Sequence, residues 1–301
     1  MKYTNSNKPI VCMQKNSTCY KGTTTMTPKG VLWHSTGANN PNICRYVQPF
    51  ETDDNYDEMI ALLGKNRYGN DWNHKYRTAG MNCWIGKLAD GTVATVQTMP
   101  WNYKPWGCGK GSKGSLNDTH MQFEICEDDL TSKAYFDAVY KEACEITAYY
   151  CQMYGLDPLG TFVYNGVTVP VITTHDESYD LKLGSNHGDP VKWLKKFGKT
   201  MNDARNDVAA LMGKKEEAAA PAPTPTAANI TLRTLRKGMS GEDVRALQHL
   251  LIGNDCSCGK YGADGSFGND TESAVRKYNS QKKLKGNEIA DGETWRSLLG
   301  V

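Results

Sequence analysis

The sequence predicts an α/β (α+β) fold, with helices flanking a central mixed β-sheet, and a small three-helix domain at the C-terminal end. Short apolar runs alternate with amphipathic helical segments through residues 1–212, residues 213–229 are rich in Pro, Ala and Thr, and the apolar positions of residues 230–301 recur at helical spacing. A Pro-rich segment of this kind stays extended because it cannot build a core. We therefore predict a domain over 1–212, a linker over 213–229 and a second domain over 230–301.

Five short apolar runs of the first domain are predicted as strands. They cover residues 30–34, 83–88, 92–96, 121–126 and 169–175. The second and third runs flank Asp90-Gly91, a dipeptide typical of a two-residue hairpin turn. The first and last runs end on His34 and His175, so each strand would fix an imidazole at an edge of the sheet.

Helices are predicted where apolar residues recur at alternating steps of three and four. In the first domain they cover residues 132–154, 191–197 and 201–212. Gly155 follows the longest of them as a C-cap. In the second domain, Ser240 and Asp243 resemble a capping box before one helix, and Asp291 is predicted to cap another.

Charge and hydropathy restrict the possible partners. The 35 basic and 33 acidic side chains leave a formal charge of +2, so no basic face for nucleic acid is expected. Neither a signal peptide nor a membrane span of ~20 apolar residues is predicted. We therefore expect a protein that is made in the cytoplasm, has no membrane partner and is a monomer by default. If its substrate lies outside the cell, something else must release the protein.

The ten cysteines are scattered, and without a secretory signal we expect them to be reduced. Cys144 and Cys151 are seven apart in a helical pattern, so they are predicted to share a buried helix face. Cys256 and Cys258 are too closely spaced for a structural zinc knuckle and have no second pair nearby.

Two histidines and one carboxylate predict a metal centre. His34 and His175 end predicted strands, and the polar turn 185–190 carries His187 and Asp189. Two imidazoles and a carboxylate suit a catalytic Zn²⁺, because they leave a fourth position for water, whose pKa falls to about 7 on the metal. The predicted zinc ligands are therefore His34, His175 and Asp189.

Two further residues are predicted to take part in catalysis. His187 would stand beside the metal, where it could stabilise an oxyanion or pass a proton. Glu124 lies on a predicted inner strand between Phe123 and Ile125, so its carboxylate is either paired to a cation or placed to accept a proton from water. Taken singly, a histidine at a strand end is more often a satisfied polar residue than a ligand.

The other histidines and the loop aromatics are weaker candidates for the functional site. His120 would replace His187 or Asp189 if either proved wrong, because strand parity puts it on the face of Glu124. We expect His74 to face solvent and His249 to lie on a helix surface. The aromatics Trp72, Trp101, Tyr103 and Trp106 could stack on sugar faces or cover the core.

Four ordered motifs carry a family resemblance. They are residues 31–42, 85–91, 117–128 and the pair 174–177 with 185–190. Over residues 28–210 the chain resembles the N-acetylmuramoyl-L-alanine amidases of the peptidoglycan-recognition-protein fold, most closely the endolysins of phages and prophages of Gram-positive bacteria. Residues 235–244 and 264–271 resemble a three-helix peptidoglycan-binding domain.

The resemblance implies specific roles. It makes His34, His175 and Asp189 the zinc ligands, His187 the basic residue for which relatives often carry Lys, and Glu124 the general base. The implied reaction is attack by water on the amide between the lactyl group of N-acetylmuramic acid and L-alanine. Bacterial peptidoglycan is then the expected partner.

Two departures and two alternatives accompany the resemblance. Asn82 and Gly107 stand where many relatives are expected to carry a ring, so contacts to substrate there would differ. One alternative is a non-catalytic peptidoglycan receptor on the same fold. The other is a different wall-tethered metallohydrolase, either a metallopeptidase or a carbohydrate esterase.

Overall fold

A computed structural model describes residues 1–213 and 232–300 of the chain. Two compact units divide it, Met1–Ala219 and Ala220–Val301. The predicted linker, residues 213–229, lies outside the described residues except for Gly213. Over the described ranges, no helix combines the length and the apolar character needed to cross a membrane.

The first unit is built on a mixed β-sheet, as predicted. The strands in chain order are β1 (Ile10–Val11), β2 (Gly30–Ser35), β3 (Cys83–Lys87), β4 (Val93–Gln97), β5 (His120–Ile125), β6 (Thr161–Tyr164), β7 (Val167–Pro170) and β8 (Ile172–Thr174). Strands β6 and β7 pair as a separate hairpin, and the other six form one sheet in the order β1-β4-β3-β5-β2-β8. Strands β3, β5, β2 and β8 run parallel to one another, whereas β4 is antiparallel to β3.

Helices flank this sheet. They are α1 (Thr18–Gly22), α2 (Tyr56–Leu63), α3 (Lys133–Tyr154), α4 (His175–Asp180), α5 (Val191–Lys196) and α6 (Met201–Leu211). The predicted ends of the longest helix are confirmed, because the Ser132 side chain caps the start of α3 and Gly155 follows it with a left-handed φ of 65°. Cys144 and Cys151 are both buried on α3.

The strand predicted over residues 169–175 is confirmed in part, because Val171 interrupts it and its last residue is helical. The chain forms β7 up to Pro170 and β8 from Ile172, and His175 is the first residue of α4. The physical reason is a helix cap: the Thr174 hydroxyl accepts a hydrogen bond from the Glu177 backbone N–H at 3.0 Å. His175 is therefore held at a helix start rather than on a strand.

The two faces of the sheet have different roles. Val31, Trp33 and Phe123 belong to a core shared with α3 and α6. Because side chains alternate along a strand, His34 and Glu124 point to the opposite face. That face carries the polar groups that predicted a metal centre.

The second unit is helical, as predicted. Its described helices are α7 (Glu242–Gly253), α8 (Asn269–Lys282) and α9 (Gly292–Leu299). Asp291 caps α9 by accepting a hydrogen bond from the Thr294 N–H at 2.9 Å. The capping box predicted at Ser240 is wrong, because Gly241 is the N-cap of α7 and the Asp243 carboxylate pairs with Arg233 instead.

Candidate metal centre

The register of the sheet brings three site residues to one edge. His34 on β2 lies directly opposite Glu124 on β5. On the other side of β2, Trp33 lies opposite Thr174 at the end of β8, so His175 follows beside His34. Carboxyl ends of parallel strands are where open α/β sheets place their functional groups.

The loop between α4 and α5 adds Asp189 to this edge. Its Oδ2 lies 3.1 Å from His34 Nδ1 and its Oδ1 lies 3.3 Å from His175 Nδ1. One possible ligand atom from each of the three residues lies within 4.8 Å of the others. Both rings are almost fully buried, and the Asp189 side chain is 18% exposed. The structure thus places together the three residues predicted as ligands.

The donor set fits a divalent cation. The Nε2 atoms of His34 and His175 are engaged elsewhere, at 2.9 Å from Gln122 Oε1 and 3.0 Å from Ser185 Oγ. Each ring therefore turns Nδ1 toward the same carboxylate. Two imidazole nitrogens that face one carboxylate at this spacing need either a proton on each Nδ1 or a metal ion between them. Two nitrogen ligands and one oxygen ligand are a set that catalytic zinc accepts.

The carboxyl of Asp189 is held in its charged form. Burial raises its pKa, but the hydrogen bonds and charges of His175 and His34 outweigh that effect and hold the pKa well below its ordinary value. A carboxylate ligand that stays ionised is the form a metal requires.

His187 lies at the rim of this group. Its ring stacks on the His175 ring with centroids 4.7 Å apart and planes at 13°. Its Nδ1 is 3.9 Å from Asp189 Oδ1, and its side chain is 65% exposed. It lies outside the set of three residues whose atoms converge.

Glu124 adds a carboxylate next to the ligands. Its Oε2 atom is buried and has no hydrogen-bond partner within the described part of the chain. Burial raises the pKa of this carboxyl well above its ordinary value, and the nearby carboxylates of Asp189 and Glu127 raise it further. A buried carboxylate oxygen without a partner is unusual and marks a group available to another molecule.

A cleft of about 310 Å³ opens beside these residues. Asp189 and His187 line one part of it, and Glu127, Lys192 and Trp193 line another. Acidic, basic and aromatic groups in one open cleft can contact a polar polymer rather than a small apolar ligand.

His120 does not join the site. It is fully buried at the start of β5, where its ring nitrogens face Thr119 Oγ1 at 2.9 Å and the Pro170 carbonyl at 3.5 Å. It shares the face of Glu124, as parity predicts, but lies two positions further from the edge than Gln122. His120 is therefore a structural residue.

We expect the buried His120 to make stability depend on pH. Burial lowers the pKa of its imidazole to about 4 from an ordinary 6.5, so the unfolded chain binds this proton first as pH falls. The free energy of unfolding is therefore unaffected by this group above pH 6.5 and falls by roughly 3 kcal/mol between pH 6.5 and 4. Denaturant melts of wild type and His120→Phe at several pH values measure it. Parallel curves for the two proteins through this range would contradict the prediction.

The remaining histidines and aromatics have structural positions. His74 was expected to face solvent but is half-buried, because both Asp71 oxygens lie 3.0 Å from its Nδ1. His249 is exposed on α7, as predicted. Trp72 packs against the buried Trp84, with ring centroids 5.0 Å apart, and Trp101 packs on core tyrosines of α3. Trp106 is 44% exposed.

Asn82 and Gly107, the two departures from the expected pattern, are explained by packing. Asn82 is buried, and its side-chain amide donates to the carbonyls of Pro100 and Tyr103 at 3.0 Å each. At Gly107, an added Cβ would lie 2.4 Å from Gln122 Oε1. No ring fits at position 107, because Gln122 fills that space.

Sequence reasoning missed the residues behind the ligands. Gln122 and Ser185 contact the Nε2 atoms of His34 and His175, and Asn117 contacts Gln122 in turn. Parity along β5 puts Gln122 on the face of Glu124, so that signal could have indicated Gln122. No local pattern identifies Asn117 or Ser185.

Comparison with known proteins gives two family matches along the chain. A family model described as N-acetylmuramoyl-L-alanine amidase matches residues 24–192, and one described as a peptidoglycan binding domain matches residues 240–298. A probable N-acetylmuramoyl-L-alanine amidase of Bacillus licheniformis is 30% identical over 187 residues, which are 62% of this chain and 47% of that protein. The N-acetylmuramoyl-L-alanine amidase CwlL of the same organism is 29% identical over 189 residues, 63% of this chain and 47% of that protein.

The chain therefore spans about half the length of these two relatives. Among solved structures, that of the Staphylococcus aureus hydrolase AmiA in complex with its ligand is similar, with 19% identity and a TM-score of 0.44. The match covers 69% of this chain and 87% of that one.

Proposed function

The chain belongs to the N-acetylmuramoyl-L-alanine amidase family, and we propose that it hydrolyses the amide between the lactyl group of N-acetylmuramic acid and L-alanine in peptidoglycan. The observation that carries the proposal is the convergence of His34, His175 and Asp189 within 4.8 Å of one another. The match of residues 240–298 to a peptidoglycan binding domain supports the same substrate.

We assign the metal to the three converging residues. His34 and His175 would hold Zn²⁺ through Nδ1, and Asp189 would hold it through its carboxylate. Zn²⁺ bound there supplies a Lewis acid, which lowers the pKa of water to about 7 and polarises a carbonyl.

Glu124 and His187 complete the reaction in this proposal. The unpartnered Glu124 oxygen accepts the proton of the attacking water and passes it to the leaving amine of L-alanine. His187 is exposed at the rim of the cleft, where its ring N–H donates to the carbonyl oxygen as negative charge develops there. The products are a free lactyl carboxylate and a peptide with a new L-alanine amino end.

The second unit keeps the enzyme on its substrate. A separate wall-binding module raises the local concentration of cleavable bonds around the catalytic unit. We propose deployment as an endolysin-type lytic enzyme that acts on the wall after release from the cell that makes it. The resemblance of residues 31–42 and 117–128 to endolysins of phages and prophages supports this.

Digestion of purified walls tests the reaction. The expected result is loss of turbidity that a chelator stops and zinc restores, with new L-alanine amino ends and no new reducing sugar ends. Binding without any new ends would favour the non-catalytic receptor. New amino ends from other stem or cross-bridge residues would favour a metallopeptidase.

We expect His187→Ala to keep the metal and lose rate. The ring lies outside the converging group, so zinc per chain stays unchanged while turnover falls about 10²- to 10³-fold for one lost hydrogen bond to developing charge. Metal analysis and wall-digestion rates on the same preparation measure both quantities. Loss of zinc from this variant would indicate that His187 is itself a metal ligand. Replacement of the exposed His249 on α7 is the matched control.

A further inference from the structure

We propose that the backbone turn Gly107–Gly109 fixes the tautomer of both candidate ligand histidines, with Gln122 and Ser185 as the positioning residues. The inference rests on the metal site of the proposed function, but its central claim concerns which ring nitrogen carries a proton. A histidine presents Nδ1 to a metal only when the proton of the neutral ring sits on Nε2. The groups that accept a hydrogen bond from Nε2 therefore affect how tightly the site binds a metal.

The orientation of the Asn117 amide is the first step. Its Oδ1 accepts hydrogen bonds from the backbone N–H groups of Gly107 at 3.1 Å and Cys108 at 3.2 Å. Its Nδ2 donates to the Gly109 carbonyl at 2.8 Å. Backbone N–H groups only donate and carbonyls only accept, so this amide has one possible orientation.

The orientation of Asn117 determines that of Gln122. The Gln122 Nε2 donates to Asn117 Oδ1 at 2.9 Å, so Gln122 Oε1 points to His34 Nε2, also at 2.9 Å. Because Oε1 can only accept, His34 Nε2 must carry the proton. The Nδ1 atom of His34 then faces Asp189, on the side where a metal would bind.

The same turn orients His175 through Ser185. The Cys108 carbonyl accepts from the Ser185 backbone N–H at 2.8 Å and from the Ser185 hydroxyl at 3.2 Å. Because its one proton is donated to that carbonyl, the hydroxyl accepts from His175 Nε2 at 3.0 Å. His175 is thereby held in the same tautomer as His34.

The two glycines of the turn leave room for these side chains. A Cβ at Gly107 would lie 2.4 Å from Gln122 Oε1, and one at Gly109 would lie 2.6 Å from Ser185 Oγ. Gly109 also has a φ of +65°, which L side chains rarely adopt. Each glycine therefore preserves one hydrogen bond to a ligand ring.

Spectroscopy of the metal-free protein tests the tautomers directly. With ¹⁵N-labelled histidine in an Asp189→Ala background, which removes the carboxylate that competes for a proton on Nδ1, we expect protons on Nε2 of His34 and His175. Gln122→Leu should remove the preference for a proton on Nε2 in His34 alone. Ser185→Ala should remove it in His175 alone. Unchanged ring signals in both variants would overturn the proposal. Because no metal is present, this result is independent of whether wild type binds zinc or cleaves walls.

Zinc affinity gives the second readout. Gln122→Leu should bind zinc about 10- to 100-fold more weakly in competition with a chromophoric chelator, the usual cost of removing an outer hydrogen bond to a ligand. Gln14→Leu is the matched control, since Gln14 is also buried but donates to the Tyr46 carbonyl, so its affinity should equal wild type. Equal affinities of the two variants would overturn the role of Gln122.

A double-mutant cycle tests the glycine, and it remains available if Gln122→Leu fails to fold. Gly107→Ala should weaken zinc binding about 10-fold or more by displacing Gln122. In a Gln122→Ala background the new methyl group meets only the flexible end of the Met81 side chain, so the same change should have a much smaller effect on zinc binding. Equal effects in both backgrounds would overturn the step through Gln122.

Discussion

Replacing His175 by alanine is expected to abolish zinc binding and wall hydrolysis together. Its Nδ1 is one of three atoms that converge, and the remaining pair, His34 and Asp189, holds zinc poorly. Loss of a ligand must cost more than loss of an outer hydrogen bond, so affinity should fall more than about 100-fold. Without the metal, the attacking water would lack the Lewis acid that the proposed mechanism requires.

Thermal stability measures this loss without reference to activity. A ligand that binds only the folded chain adds about 2.7 kcal/mol at 100 times its dissociation constant. Zinc should therefore raise the melting temperature of wild type and leave that of His175→Ala unchanged. His249→Ala, on the exposed surface of α7, is the control and should respond to zinc as wild type does. A zinc-dependent rise in the melting temperature of His175→Ala would show that His175 is not a metal ligand.

Much of the site could be predicted because its residues lie on regular elements. The apolar run before His34 forms β2, and the alternation of β5 places Glu124 on the same face. Such periodicities are local, so a sequence displays them directly. The position of Asp189 near the histidines could be inferred only from the polar turn that carries it and from the family resemblance, because no periodic pattern includes it.

The rest depends on contacts between segments far apart in the chain. His175 lies at a helix start because Thr174 caps α4, and an apolar run does not indicate where such a cap interrupts it. Asn117 and Ser185 act through backbone groups of the Gly107–Gly109 turn. Hydrogen bonds to a folded turn have no period, so no pattern in the sequence could have indicated them.

Replacing Glu124 by glutamine is expected to keep zinc and remove most of the rate. Glu124 lies outside the three converging residues, so metal content should stay at the wild-type level. An amide cannot accept the proton of the attacking water, and loss of a general base costs about 10²- to 10⁴-fold in turnover. Zinc per chain and single-turnover wall digestion measure the two effects. Turnover within about threefold of wild type would remove Glu124 from the mechanism.

Glu124→Gln should also stabilise the metal-free protein. This effect distinguishes a catalytic base from a carboxylate that stabilises the fold. Burial raises the pKa of Glu124 above its ordinary 4.5, so ionising it at neutral pH works against folding. The gain from glutamine should therefore be present at neutral pH and vanish as pH falls below 4.5, where the carboxyl is protonated in both states. Glu145→Gln is the matched control, because buried Glu145 accepts a hydrogen bond from the Lys2 backbone N–H on the α3 side of the sheet. That variant should lose stability and keep its rate, whereas Glu124→Gln gains stability and loses rate.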